Sequence, residues 1–191
     1  MEKRAFGVVF LLAIASISQT VAQTLLTHGS IPVEKLFLGP LPVTQIRLYF
    51  HNVAAGPKAT AYRIANSSIT NTSPTLFGFL NMIDNLLTAS PDPNSPQLGR
   101  AQGLYGSADL NAIGFFINFN FYFTSGPYNG STLNIIGRDA VFSNNRELSV
   151  GGGTGHFRLA NGIVTARTIS GDVATMNAVF EFNITVYQPI P

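Results

Sequence analysis

Between Ile113 and Phe123 every second residue is a large apolar side chain: Ile113, Phe115, Ile117, Phe119, Phe121 and Phe123. A two-residue period places all six on one face of an extended strand and none of them on a helical stripe. The opposite face holds Phe116, Asn118, Asn120, Tyr122 and Thr124, without a charge. Strands that face water carry Lys or Glu there, so this second face is expected to be covered by another subunit.

The same period recurs along the chain. Ile46, Leu48 and Phe50 alternate with Arg47, Tyr49 and His51, and Phe180, Phe182, Ile184 and Val186 alternate with Glu181, Asn183, Thr185 and Tyr187. After the first strand, further strands are expected at roughly 59–67, 75–87, 98–108, 112–124, 131–138, 156–169 and 174–187. Turn-forming clusters separate them: Pro91-Asp92-Pro93-Asn94-Ser95-Pro96, Gly126-Pro127-Tyr128-Asn129-Gly130 and Gly151-Gly152-Gly153-Thr154-Gly155. No segment shows sustained helical spacing. Eight strands with short connections favour an all-β, antiparallel up-and-down barrel over a sandwich. The many inward rings give it an apolar pocket.

The N-terminus predicts the compartment. Met1-Glu2-Lys3-Arg4 is a short basic stretch, and Phe6 to Ile17 is an apolar run suited to a secretion signal but too short to span a membrane. Thr20-Val21-Ala22 offers small residues at the cleavage positions, so residues 1–22 are expected to be removed. Residues 23–43, with Pro32, Gly39, Pro40 and Pro42, then form an arm, and residues 44–191 the barrel domain. No later apolar stretch is long enough for a membrane helix. With 11 Lys and Arg against 9 Asp and Glu there is no basic patch for nucleic acid. The chain has no cysteine, which excludes thiol catalysis and disulfides. His28, His51 and His156 lie far apart and without ligand spacing, so neither a metal nor another cofactor is expected. Asn66, Asn71, Asn129 and Asn183 each begin an Asn-x-Ser/Thr sequon, expected to carry glycans in a secreted chain.

Four longer motifs stand in order: Leu48-Tyr49-Phe50-His51-Asn52; Gly99-Arg100-Ala101-Gln102-Gly103-Leu104-Tyr105; Tyr128-Asn129-Gly130-Ser131-Thr132-Leu133; and Arg146-Glu147-Leu148-Ser149-Val150-Gly151-Gly152-Gly153-Thr154-Gly155-His156-Phe157. Ser73-Pro74-Thr75-Leu76-Phe77-Gly78 and Met82-Ile83-Asp84 lie between the first two. In this order and spacing the set resembles the plant dirigent proteins over about Thr44 to Gln188. The resemblance implies an eight-stranded barrel of the allene-oxide-cyclase type, usually a trimer, secreted to the apoplast. Dirigent proteins steer stereochemistry: a laccase or peroxidase generates phenoxy radicals, and the barrel holds these radicals, or a quinone methide derived from them, so that one enantiomer forms. Coupling of coniferyl alcohol to lignans is the usual example. Some relatives act alone, closing or dehydrating a quinone methide. A non-catalytic defence or cell-wall binding barrel is the third reading.

The resemblance also implies site residues. Asp139 would exchange a proton with the phenol or quinone-methide oxygen, and Arg146 would orient it; the alternative is a structural ion pair at the barrel mouth. Tyr105 would hydrogen-bond the substrate, or else be a core ring with a polar tip. Asp84 would be a second acid facing the lumen, or else a turn or cap residue. Arg100 is expected to be structural, and His51 to lie on the exterior or at an interface. This chain departs from lignan-forming members at Asn52, where they have aspartate, at Ser107, where they have a second tyrosine, and in lacking their disulfide. These departures bring it nearer to the broader dirigent-like group, whose substrates include terpenoid phenols and isoflavonoids.

Overall fold

The computed structural model describes residues 42–144 and 146–188. The expected signal segment and all but the last two residues of the expected arm lie outside them. Within them nine strands follow one another: β1 (Val43–Asn52), β2 (Ala61–Ala65), β3 (Leu80–Thr88), β4 (Gln97–Ser107), β5 (Phe115–Phe123), β6 (Thr132–Asp139), β7 (Arg146–Thr154), β8 (Asn161–Asp172) and β9 (Asn177–Tyr187). Among the described residues the remaining regular structure is two short 3₁₀ turns, Gly126–Tyr128 and Gly155–Phe157.

All pairings are antiparallel. The sheet runs β3-β4-β5-β6-β7-β8-β9-β1, and β1 closes on β3 through Tyr49 opposite Thr88, Phe50 opposite Leu87 and His51 opposite Leu86. These eight strands form a closed up-and-down barrel. Closure gives each barrel strand a neighbour on both sides and leaves one short segment at the seam. There β1 covers only the C-terminal half of β3. The N-terminal half, Leu80 to Ile83, is capped by β2, which lies outside the closed ring.

The barrel's membership therefore differs from the periodic reading. The segment at 59–67 is the seam strand β2, and the segment at 75–87 begins only at Leu80. Pro74 and the positive φ of Leu76 (57°) and Gly78 (84°) turn the preceding residues into a loop. The eighth barrel strand is β7, in a region expected to be a glycine turn. Gly151 is the extra residue of a bulge, because Asn134 pairs with Gly152 while Ile135 pairs with Val150. A side chain at Gly153 would stand 2.7 Å from the Phe157 Cβ and 2.6 Å from the Thr132 carbonyl. The glycines let Phe157 fold back onto the strand, and they do not end it.

Inward positions alternate as the period requires. Ile117, Phe119, Phe121 and Phe123 are buried, whereas Phe116 and Tyr122 on the outer face remain 40% and 39% exposed. Phe50, Phe119, Phe121 and Phe182 make a central aromatic layer with ring centroids 5.4–5.6 Å apart. One end of the barrel is plugged. Phe157, fully buried, packs 5.5 Å from Phe123 and 4.9 Å from Tyr128, and His156 caps Tyr128 at 5.0 Å.

His51 points to the outer face as its alternation requires, yet it is not exposed. Its Nε2–H donates to the Thr88 hydroxyl at 2.7 Å, and that hydroxyl donates onward to the Ser90 carbonyl. Burial beside this β3–β4 connection holds the imidazole pKa below its ordinary value, against a smaller upward pull from Asp92.

Candidate functional site

At the end opposite the plug lies a cavity of about 770 Å³. Its walls are Phe50, Phe115, Phe119, Phe180 and Phe182, and Leu76, Ile113, Phe142 and Val173 rim its mouth. Phe142 and Val173 are 72% and 83% exposed, so the loops β6–β7 and β8–β9 raise an apolar collar above the barrel. The size and apolar lining suit a small aromatic ligand.

A buried charged pair interrupts the apolar wall. Asp139 ends β6, Arg146 begins β7, Thr168 lies on β8 and Phe180 on β9. These strands are successive neighbours, so lumen-facing residues near one level of the barrel converge. The Arg146 Nε donates to Asp139 Oδ1 at 2.7 Å and its Nη2 to Oδ2 at 2.5 Å, a bidentate fork. Its Nη1 donates to the Thr168 hydroxyl at 2.9 Å, and its guanidinium carbon lies 4.9 Å from the Phe180 ring centre. Both charged residues are only 5% exposed. The guanidinium is held by three strands and retains N–H groups beyond those spent on Asp139 and Thr168. Such a fixed pair can hold a phenolic oxygen from both sides, as donor through Arg146 and as acceptor through Asp139.

Tyr105, on β4, lines the same cavity. Its ring stacks on Phe115 at 5.9 Å and meets Phe79 edge-on at 6.0 Å. Its hydroxyl accepts from the Asn81 Nδ2 at 2.7 Å.

The fourth expected residue lies elsewhere. Asp84 points out of the barrel, because Ile83 and Asn85 on either side of it occupy the buried face of β3. Its carboxylate accepts from Arg100 Nε at 2.8 Å and from Gln102 at 3.1 Å, and Arg100 also donates to its backbone carbonyl. The Arg100 hydrogen bond is the main cause that keeps this carboxyl below the usual range. Asp84 is thus a partner on the outer wall and not a lumen acid.

Asn52 lines the cavity, but both ends of its amide are engaged. It donates to the Met176 carbonyl at 2.8 Å and accepts from Asn85 at 3.0 Å. Ser107 is buried and donates to the Thr75 carbonyl at 2.8 Å. On the outer wall Glu181 accepts from Tyr49 at 2.8 Å, and from Arg167 and Asn183 at 3.2 Å each. The Tyr49 hydrogen bond is the leading cause that lowers the Glu181 carboxyl and raises the Tyr49 hydroxyl.

All four sequon asparagines are exposed. Asn183 uses the nitrogen that a glycan would occupy to reach Glu181. Thr168 and Asn81 are site residues that the motifs do not mark. Their signal was a small polar residue at an inward position of an otherwise apolar alternation.

Residues 43–187 match the profile of the family described as Dirigent-like protein. Dirigent protein 21 of Arabidopsis thaliana is 39% identical over 149 residues, 78% of this chain and 79% of that protein. Dirigent protein 23 of the same plant is 42% identical over 144 residues, 75% and 77% of the two chains. Among solved structures, the pterocarpan synthase dirigent protein GePTS1 superposes with a TM-score of 0.72 at 34% identity, covering 78% of this chain and 90% of its own.

Proposed function

Since the chain belongs to the dirigent family, we propose that its barrel directs the stereochemistry of bond formation between oxidised plant phenols, phenoxy radicals or the quinone methides that arise from them. The radicals come from a laccase or peroxidase. The observation that carries this reading is the buried Asp139–Arg146 fork set in the wall of an aromatic cavity open at one end. An apolar cleft holds the rings, and the pair grips one oxygen. Fixing two reactive partners in one orientation accelerates one coupling geometry and starves the others. A preference of only 1.4 kcal/mol between two geometries gives roughly a tenfold bias.

The test is chiral chromatography of products from a laccase and a panel of plant phenols, with and without the protein. An enantiomeric excess at unchanged oxidation rate is expected, and Asp139→Asn should abolish it. Racemic products across the panel would count against the proposal.

A second reading is favoured by the likeness to a pterocarpan synthase. On this reading the barrel closes a preformed quinone methide with no oxidase present. Turnover of such an intermediate, lost in Asp139→Asn, distinguishes it from steering of radicals.

The same proposal takes a secreted, glycosylated homo-oligomer, a trimer in preference to a dimer. The exposed sequons and the uncharged outer face of β5 support it. Light scattering of the purified chain would report the oligomeric state, and a monomer at micromolar concentration would remove that part.

A further inference from the structure

Tyr105 is linked to the barrel's outer surface by a chain of hydrogen bonds with a fixed direction. Arg63, on β2, donates its Nε–H to the Asn81 Oδ1 at 3.1 Å. A guanidinium only donates, so the oxygen end of the Asn81 amide must face Arg63. The nitrogen end therefore faces Tyr105, 2.7 Å from its oxygen, and must donate to it. This fixes an amide orientation that is otherwise ambiguous. Asn81 is only 4% exposed, so little solvent competes for it. Arg63 is anchored a second time, 4.3 Å over the ring of Phe79, which itself meets Tyr105 edge-on. Among the described residues no protein group accepts the tyrosine's own proton.

We infer that Arg63 and Asn81 are positioning residues that hold Tyr105 as a hydrogen-bond donor to the cavity, so that the site selects a ligand oxygen carrying no hydrogen. A quinone-methide carbonyl or a phenoxyl oxygen accepts without restriction. The parent phenol must also place its own proton, and Tyr105, occupied by Asn81, is a poor acceptor for it. At Tyr105 the cavity thereby favours an oxidised oxygen over the hydroxyl of the reduced precursor, whose proton the distinct Asp139–Arg146 position can accept. The inference rests on the reading of the cavity as a site for oxidised phenols, but its test requires neither an oxidase nor turnover.

Benzophenone, an acceptor-only ketone, and diphenylmethane, which replaces the carbonyl by a methylene, form the probe pair. Their affinities are measured by calorimetry on the full-length protein. The native chain should prefer benzophenone. Asn81→Asp keeps the contact with Arg63 but turns an obligate donor into an acceptor that captures the Tyr105 proton. The preference should then fall about fivefold, the value of one ordinary hydrogen bond. Tyr105→Phe should give the same fall, and the double variant no further one. Arg63→Met, a change at an exposed side chain, releases the amide to turn over and should lower the preference about twofold. Diphenylmethane should bind alike throughout. An intact preference in Asn81→Asp, a second full loss on adding Tyr105→Phe, or weakened diphenylmethane binding would each overturn the inference.

Discussion

The two ends of the barrel are made from the same kinds of side chain and do opposite things. At the plugged end Phe123, Tyr128, His156 and Phe157 interlock, and Gly153 lets Phe157 approach the strand closely enough to seal it. At the open end Phe115, Phe180 and Tyr105 line a void, and the polar groups there include a buried ion pair and a directed tyrosine. Aromatic content alone does not make a pocket. What separates the ends is whether a connecting segment folds inward to fill the lumen. The 3₁₀ turn after β7 does so, whereas the β6–β7 and β8–β9 loops stand outward with Phe142 and Val173 exposed.

If the open end is built for chemistry and the plug for stability, the Asp139–Arg146 pair should stabilise little on its own account. Arg146→Met leaves a carboxylate buried without a partner and should cost about 3–5 kcal/mol in urea unfolding. The double variant Asp139→Leu/Arg146→Met removes both charges and should regain most of that stability, because an apolar pair of similar volume often matches a buried salt bridge. It should not regain stereoselectivity. A double variant that stays as unstable as the single one would erase the proposed contrast between the ends.

The plug should behave in the reverse way. Phe157→Ala opens a cavity where the ring is fully buried and should cost about 3–4 kcal/mol. Benzophenone affinity at the far end, measured below the unfolding transition, should be unchanged. A smaller test lies at the open end: Thr168→Val removes one hydrogen bond to Arg146 at nearly constant volume. It should cost only about 1 kcal/mol in stability. Product selectivity should drop as well, since the guanidinium loses one of its three holding points.

Much of this contrast was legible in the sequence, for physical reasons that differ from element to element. β5 announces itself because its inner face is uniformly apolar and its period is two. The motif resemblance located Asp139, Arg146 and Tyr105, and all three line the cavity. β7 was hidden because glycines that allow close packing look the same in sequence as glycines that make a turn. Barrel membership at the seam was decided by β1 closing on β3, a pairing between distant residues that no local pattern records. The position of Asp84 was readable from parity: Ile83 and Leu87 face inward, so residue 84 faces out. The family resemblance pulled the expectation the other way. Asn81 and Thr168 gave only a weak signal, since a small polar residue in an apolar alternation becomes informative once its neighbours across the barrel are known.

The smallest expected effect belongs to neither end but to the wall between them. His51 is buried on the outer face with its Nε2–H spent on Thr88. Burial lowers its folded-state pKa beneath the ordinary value near 6.5. The unfolded chain therefore takes up a proton first as the pH falls. Stability from this group is complete above about pH 6.5 and declines as the pH drops toward the lowered folded-state value, below which the slope ends. One proton can contribute no more than about 1.4 kcal/mol per pH unit. Glu181 and Asp109 add a separate loss at more acid pH: Tyr49 lowers the Glu181 carboxyl, and Arg138, donating to Asp109 Oδ2 at 2.7 Å, lowers that carboxyl to about 2, so their contributions are present above the ordinary carboxylate range and are lost as the pH falls through the lowered values. Unfolding midpoints in urea from pH 7 to 5 should thus fall in the native chain and fall less in His51→Gln, whose amide can still donate to Thr88. Equal slopes in the two chains would place the pH sensitivity outside this wall. A selectivity that tracked the His51 slope would break the separation of wall from open end.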